Sequence, residues 1–223
     1  MVLLQVLFIT LLFVATSLAS CFPEHPQKQF CKADFVVHAR VLYGPESDYM
    51  PNSGRNPSMK YHVYQLRILE IFKGRDHVQK NLIPAKGFNF VNLYTPSPRV
   101  SAAAGLVPNS EYLLSGRVEA GYLYTSFCNW RQRWAGVTSE QLEGVRTQYN
   151  KGCQCLIGFS FCFTKDCPRL LKGCDGFPDS NFDCRAKFDR CEINFGGNSC
   201  SWLSSKRRGR FQQCVKISQR FFP

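Results

Sequence analysis

The side chains with most chemical reach in this 223-residue chain are four histidines (His25, His38, His62 and His77) and twelve cysteines. A hydrolase needs a nucleophile, a base and a group that orients the base. None of His-Glu-x-x-His, Gly-x-Ser-x-Gly or a phosphate-binding glycine loop occurs. His38 and His62 fall inside strand-like runs, where packing is the expected role. A cysteine nucleophile is not expected where every thiol has a partner to oxidise with. These absences point away from an enzyme and toward a binding protein. What chemistry remains belongs to the backbone of Ala19-Ser20-Cys21-Phe22-Pro23-Glu24-His25-Pro26-Gln27, closed by Phe30-Cys31. Pro23 and Pro26 stiffen this stretch, and Cys21 and Cys31 pin it. One reading is a cross-linked tail closing the end of a fold. The other is an exposed wedge, pre-organised so that binding orders little further chain. A free α-amine and its neighbouring carbonyl, carried on such a wedge, could ligate the zinc of a protease and displace the catalytic water.

The first residues explain why that stretch lies at an end. Val2 to Val14 is an apolar run broken only by Gln5 and Thr10, and small residues follow at Ser17 and Ala19. This is the pattern of a cleaved secretion signal over 1–19, too short and interrupted for a membrane span. An oxidising compartment and an even cysteine count imply six disulfides. Metal binding at Cys153-x-Cys155 and Cys162-x4-Cys167 is the rival, but no histidine lies near them. The chain holds 28 Lys and Arg against 16 Asp and Glu. That excess suits an acidic partner or a sulfated glycan, whereas the secretory route argues against nucleic acid.

Cysteine distribution sets the expected domain boundary. Three cysteines lie between Ser20 and Gly152, and nine between Cys153 and Pro223. The first part must rely on an apolar core, the second on cross-links. The expected domains are therefore 20–153 and 154–223, the second ending in a basic tail. Strand patterns occur at Phe35 to Leu42 (stopping at Tyr43-Gly44-Pro45), Tyr61 to Phe72, Phe90 to Tyr94, Glu111 to Val118 and Tyr122 to Phe127. Glu119-Ala120-Gly121 is a hairpin signal between the last two. Five strands with irregular connections suit a mainly β Greek-key barrel such as the OB-fold, although a sandwich fits the spacing equally. Thr138-Ser139-Glu140-Gln141 forms a capping-box pattern and predicts a helix over about Ser139 to Tyr149, packed on the barrel. Phe159, Phe161 and Phe163 alternate as in a strand. Cys174 to Asn198 reads as loop. Lys206-Arg207-Arg208-Gly209-Arg210 is a dense positive run: either a solvated face or a heparin-type contact.

Taken together, Cys21-x-Pro23-x-His25-Pro26-Gln27-x-x-Phe30-Cys31-x-x-Asp34 resembles the start of the tissue inhibitors of metalloproteinases. Tyr64 through Phe72-Lys73-Gly74, Leu93-Tyr94-Thr95-Pro96, Tyr112-Leu113-Leu114-Ser115-Gly116 and Cys200-Ser201-Trp202 carry the resemblance along the whole secreted chain. It implies a netrin-like five-stranded OB-fold barrel with packed helices, then a small disulfide-rich C-terminal domain. It further implies a secreted, monomeric inhibitor of zinc metalloendopeptidases of the matrix metalloproteinase type. Its inhibitory contacts would be Ala19, Ser20, Cys21, Phe22 and Pro23, with the loop Ser97, Pro98, Arg99, Val100, Ser101 and Ala102. The implied disulfides are Cys21–Cys128, Cys31–Cys153, Cys155–Cys200, Cys162–Cys167 and Cys174–Cys191; Cys184 and Cys214 remain and pair by parity.

One departure bears on function. The family begins Cys-x-Cys, and the first of those cysteines supplies the chelating amine and carbonyl. Here Ala19 stands in that place, and its usual partner is also absent, near Ala102. Chelation uses backbone atoms, so the backbone of Ala19 or Ser20 would approach the target's zinc. No cofactor or metal of the chain's own is expected. The alternative is a non-inhibitory netrin-like module that binds a receptor, a pro-enzyme or a heparin-like matrix glycan. Its contacts would be the C-terminal domain and Lys206, Arg207, Arg208 and Arg210.

Overall fold

A computed structural model describes residues 21, 24–51, 60–85, 88–97, 103–158, 172–175, 182–205 and 209–221. Strands β1 (Phe35–Tyr49), β2 (Lys60–Lys73), β3 (Ile83–Ala85), β4 (Phe88–Pro96), β5 (Glu111–Glu119), β6 (Tyr122–Tyr124) and β7 (Arg131–Arg133) share one sheet. The sheet runs β1-β2-β4-β6-β5-β7, with β3 on β4, and β1 pairs back onto β5. That last pairing makes a near-closed ring of five strands, as expected of the barrel. All neighbours in the ring are antiparallel except β4 and β6, which run parallel.

The alternation in β1 is what builds two layers. Phe35, Val37, Ala39 and Val41 point into the barrel with Leu66, Val91, Leu93, Leu114 and Leu123. Val36 points outward, yet is equally buried, among Phe30, Leu113, Trp130, Val145 and Tyr149. This outer cluster is the seat for helix α1 (Pro26–Lys32) and for a helical run made of α3 (Ser139–Glu143), a π-helical stretch (Gly144–Gln148) and α4 (Tyr149–Gly152). The capping box is present: Thr138 Oγ1 accepts from the Gln141 N–H at 3.1 Å, and Gln141 Oε1 accepts from the Thr138 N–H at 3.0 Å. The helical run outlasts the expected end at Tyr149 by one turn. Gly144 sits inside it because a Cβ there would lie 2.4 Å from the Tyr149 ring.

Three readings need correction. β1 does not stop at Tyr43-Gly44-Pro45 but passes through it. Tyr43 opposes Gln65 and Glu46 opposes Val63, so one extra residue is absorbed as a bulge. Gly44 makes this possible with φ at 114°, where a Cβ would meet Val63 O at 2.7 Å. The β6 strand is shorter than Tyr122 to Phe127, since the chain leaves the sheet at Thr125 to form a turn. Cys174 to Asn198 is not all loop: it holds α5 (Phe182–Phe188) and β10 (Cys191–Ile193), with β10 paired to β11 (Cys200–Trp202). Cross-links let such short elements persist without long periodic patterns. Several elements carried no expectation, among them the short strands β3 and β7 and the helices α2 (Arg75–Lys80) and α6 (Arg210–Phe221). The remaining strands β8 (Leu156–Gly158) and β9 (Gly173–Asp175) pair in parallel. The alternating phenylalanines at 159, 161 and 163 lie outside the described residues.

Five disulfides join described residues: Cys21–Cys128, Cys31–Cys153, Cys155–Cys200, Cys174–Cys191 and Cys184–Cys214. Cys162 and Cys167 lie outside them. Among the described residues no helix is long and apolar enough to cross a membrane.

Candidate functional site

Cys21 is the first cysteine of the sequence, and its bond to Cys128 is the only disulfide holding it. The receiving turn is rigid. Asn129 Oδ1 accepts from the Ser126 N–H at 2.8 Å and from its hydroxyl at 2.9 Å. Gln29, on α1, donates from Nε2 to Cys128 O at 2.9 Å. Just upstream, the Thr125 N–H bonds Tyr94 O at 2.9 Å. The turn that anchors Cys21 therefore springs from the end of the sheet where β4 finishes and Ser97 follows. Ala19, Ser20, Phe22 and Pro23 lie outside the described residues, as do Pro98, Arg99, Val100, Ser101 and Ala102.

The far root of that loop is stitched into the barrel. Thr95 Oγ1 accepts from the Ala104 N–H at 2.9 Å, and the Tyr64 and Tyr112 hydroxyls accept from the N–H groups of Leu106 and Val107 at 3.3 and 3.1 Å. Ala104 and Leu106 are buried in the main core. Both ends of the loop are thus fixed by buried bonds.

Downstream of Cys21 the chain enters α1 through two buried polar side chains. His25 is the N-cap: its Nδ1 accepts the Gln27 N–H at 3.2 Å, while Nε2 donates to Arg185 O at 3.1 Å. These two roles require the neutral Nε2–H tautomer. The ring lies 5.0 Å from that of Trp202, and the Arg185 guanidinium stacks on Trp202 at 4.7 Å. Burial pushes the His25 pKa from 6.5 down to about 4; the bond to Arg185 O works against the shift and the Arg185 charge adds to it. Gln27 is 1% exposed and spends its whole amide on distant backbone. Its Nε2 donates to Gly152 O at 3.1 Å and Cys191 O at 2.9 Å, and its Oε1 accepts from the Cys191 N–H at 2.9 Å. Pro26, expected to stiffen an extended wedge, instead occupies the first position of the helix, where its missing N–H costs nothing. Glu24 faces Lys32 at 2.7 Å and Lys28 at 2.9 Å. Partial burial opposes its charge, but hydrogen bonds from both lysines outweigh that and hold its carboxyl below the usual range.

The sequence gives no periodic signal for this clamp. His25 and Gln27 are polar residues flanking a proline, which reads as surface chain. Their burial depends on α5 and β10, which lie 160 and 164 residues away by the separations of the two bonds. His38, taken as a packing residue, stacks on Trp134 at 3.5 Å and meets Glu111 at 3.1 Å.

The cysteines Cys155, Cys191 and Cys200 gather closely enough to suggest a metal site, but each is oxidised: Cys155 to Cys200, and Cys191 to Cys174. They form two packed disulfides with Ile157 in a small core. Of the basic run, Arg210 is engaged. It donates to Ser139 Oγ at 2.7 Å and pairs with Glu140 at 3.4 Å, which pins the start of α6 to the start of α3. Lys206, Arg207 and Arg208 lie outside the described residues.

The sequence profile of the family "Tissue inhibitor of metalloproteinase" matches residues 18–202. The chain belongs to the tissue inhibitor of metalloproteinase family. It is 32% identical over 139 residues to metalloproteinase inhibitor 3 of Gallus gallus, covering 62% of this chain and 58% of that protein. Metalloproteinase inhibitor 3 of Xenopus laevis is 31% identical over the same length, again 58% of its own. The match to human metalloproteinase inhibitor 2 is longer: 28% over 203 residues, 86% of each chain. The chain thus spans somewhat more than half of the first two relatives and most of the third. Proteins of this family are inhibitors, not enzymes, and their targets are metalloproteinases. A near-closed five-strand ring and a disulfide-rich C-terminal region agree with the family's fold. The five disulfides are consistent with an extracellular protein.

Proposed function

We propose that this chain is a secreted protein inhibitor of zinc metalloendopeptidases of the matrix metalloproteinase type. After removal of the signal over 1–19 or one residue earlier, the stretch Ala19 to Pro23 enters the active-site cleft, flanked by the loop Ser97 to Ala102. The backbone amine and carbonyl of Ala19 or Ser20 approach the zinc of the target, and the following side chain enters its specificity pocket. The observation that carries this reading is the anchoring of Cys21, bonded to a hydrogen-bonded turn and followed at once by a clamped helix. Cys21 is thus held in place before binding, which lowers the entropic cost of inhibition. In this reading 20–153 is the inhibitory domain and 154–223 a second, disulfide-rich one. Acetylating the processed α-amine removes one zinc ligand and leaves the disulfides intact. The expected result is inhibition by the untreated protein and its loss on acetylation; equal inhibition by both would refute zinc ligation.

A second reading is favoured by one observation: the family's first cysteine is replaced by Ala19 and its partner is missing near Ala102. The protein would then be a non-inhibitory module for a heparin-like glycan, a receptor or a pro-enzyme, acting through the C-terminal region. The net charge of +12 supports it. Arg210 does not add to it, since its guanidinium is held by Glu140 and Ser139. Retention on heparin that survives neutralisation of Lys206, Arg207 and Arg208 would count against the run as the contact.

A further inference from the structure

Helix α1 is fastened by its first turn to the C-terminal region and by its last turn to the end of the first domain. At its end, Cys31 is bonded to Cys153. In its first turn, the Gln27 amide pairs with Cys191 through both N–H and C=O, as a neighbouring strand would, and also holds Gly152 O. At its start, His25 bonds Arg185 O and packs against Trp202. The receiving backbone is itself cross-linked: Cys191 to Cys174, and Cys200 of the paired strand to Cys155. Gly152 leaves no room for slack, because a Cβ there would lie 2.2 Å from Gln27 Nε2 and 2.7 Å from Cys191 O. On the opposite side, Lys73 donates to the carbonyls of Phe30 and Cys31 at 2.9 and 3.0 Å. Only three residues separate Cys21 from His25, and no cysteine precedes Cys21.

From this geometry we infer that Gln27 and His25 are positioning residues through which the C-terminal disulfide framework sets the direction in which the chain leaves α1 toward Cys21. The inference rests on the inhibitor reading for its consequence, since neither side chain faces outward and both act through the residues before them. The C-terminal region is then part of the inhibitory apparatus and not merely an attachment to it. A buried amide suits this task better than an apolar side chain would. Its three bonds fix rotation and height of the helix together, whereas apolar contact leaves sliding nearly free.

The test uses the full secreted chain. Gln27→Met keeps the side-chain length and removes all three bonds; Gln27→Asn keeps the amide but withdraws it by one methylene. Val78→Ala, under the barrel and remote from α1, serves as the control for general loss of stability. Two readouts are taken: association and dissociation rates with a zinc endopeptidase catalytic domain, and amide hydrogen exchange of the segment Cys21 to Gln29. Both Gln27 variants are expected to raise that exchange and to speed dissociation by about tenfold, with association nearly unchanged, as for most interface changes. Val78→Ala, at a matched loss of melting temperature, is expected to change neither. Wild-type exchange and dissociation in the Gln27 variants would overturn the inference, and so would equal effects from Val78→Ala. If Gln27→Met is not secreted, Gln27→Asn carries the comparison alone. If the wild-type protein inhibits no zinc endopeptidase, the inhibitor reading fails, and the exchange arm still decides whether Gln27 orders the segment.

Discussion

Lowering the pH from 7 to 4 should remove stability that His25 supplies only while neutral. Its Nδ1 accepts the Gln27 N–H and its Nε2 donates to Arg185 O, so a second ring proton has no acceptor and would point at an N–H. The ring faces the Arg185 guanidinium, the Trp202 ring and the backbone at Arg185 and Asp189; burial and the Arg185 charge disfavour a cation there by more than the backbone hydrogen bonds favour it. Burial places the folded pKa at about 4 against 6.5 for the free side chain. The unfolded chain therefore takes up the proton first. The contribution is complete above about 6.5 and is lost progressively down to about 4. At about 1.4 kcal/mol per pH unit, that window is worth about 3 kcal/mol. Glu24, held below its usual range, adds an acid-side loss of the same sign, whereas Asp189, raised by burial, works in the opposite direction. The assay is urea unfolding of the disulfide-intact protein at pH 7, 5.5 and 4, beside His25→Asn, which retains a cap acceptor and cannot titrate. Glu24 and Asp189 are present in both, so the difference in slope isolates His25. The wild type should lose about 3 kcal/mol more than the variant across that range. Parallel pH dependences would refute the buried, neutral assignment.

Other perturbations reach the same architecture from different sides. Gly152→Ala should cost about 2 kcal/mol by overpacking, seen as a lower melting temperature, because its Cβ would strike both Gln27 and the Cys191 carbonyl. Gly44→Ala should destabilise by about 1–3 kcal/mol, since φ is 114° and Val63 O stands 2.7 Å from the added carbon; a neutral result in thermal unfolding would mean that the bulge can relax. Removing Cys21–Cys128 by paired serine substitutions opens a loop of 107 residues. By loop entropy this should cost about 4–5 kcal/mol, and inhibition should weaken by more than the stability loss alone explains.

The barrel was legible because its strands carry side chains that alternate between two buried or half-buried faces. Phe35, Val37, Ala39 and Val41 announce β1, and the capping box announces the helical run at Ser139. Legibility failed where the cause is distant. β1 crosses Gly44-Pro45 because a bulge absorbs a residue, which depends on the register of β2. Helix α1 starts from a histidine, not one of the residues that usually cap helices, and its polar Gln27 is inward-facing only because Cys191 offers it backbone partners. Helix α6 turns Phe211, Cys214, Val215 and Ser218 inward at helical spacing, but its position depends on the cross-link to Cys184 and on Glu140. The proposed contact stretch was read from the residues around Cys21 and from their resemblance to the family. The clamp behind it was not, since nothing local in the sequence marks a buried glutamine.

The most direct test is titration of a panel of zinc endopeptidases with the secreted protein, its N-terminus and disulfides established by mass spectrometry. Zinc ligation by the N-terminal stretch predicts stoichiometric inhibition that a small zinc-chelating inhibitor relieves by competition, with Ala19 or Ser20 as the first residue. A correctly cross-linked protein with that terminus that inhibits none of the panel would contradict it.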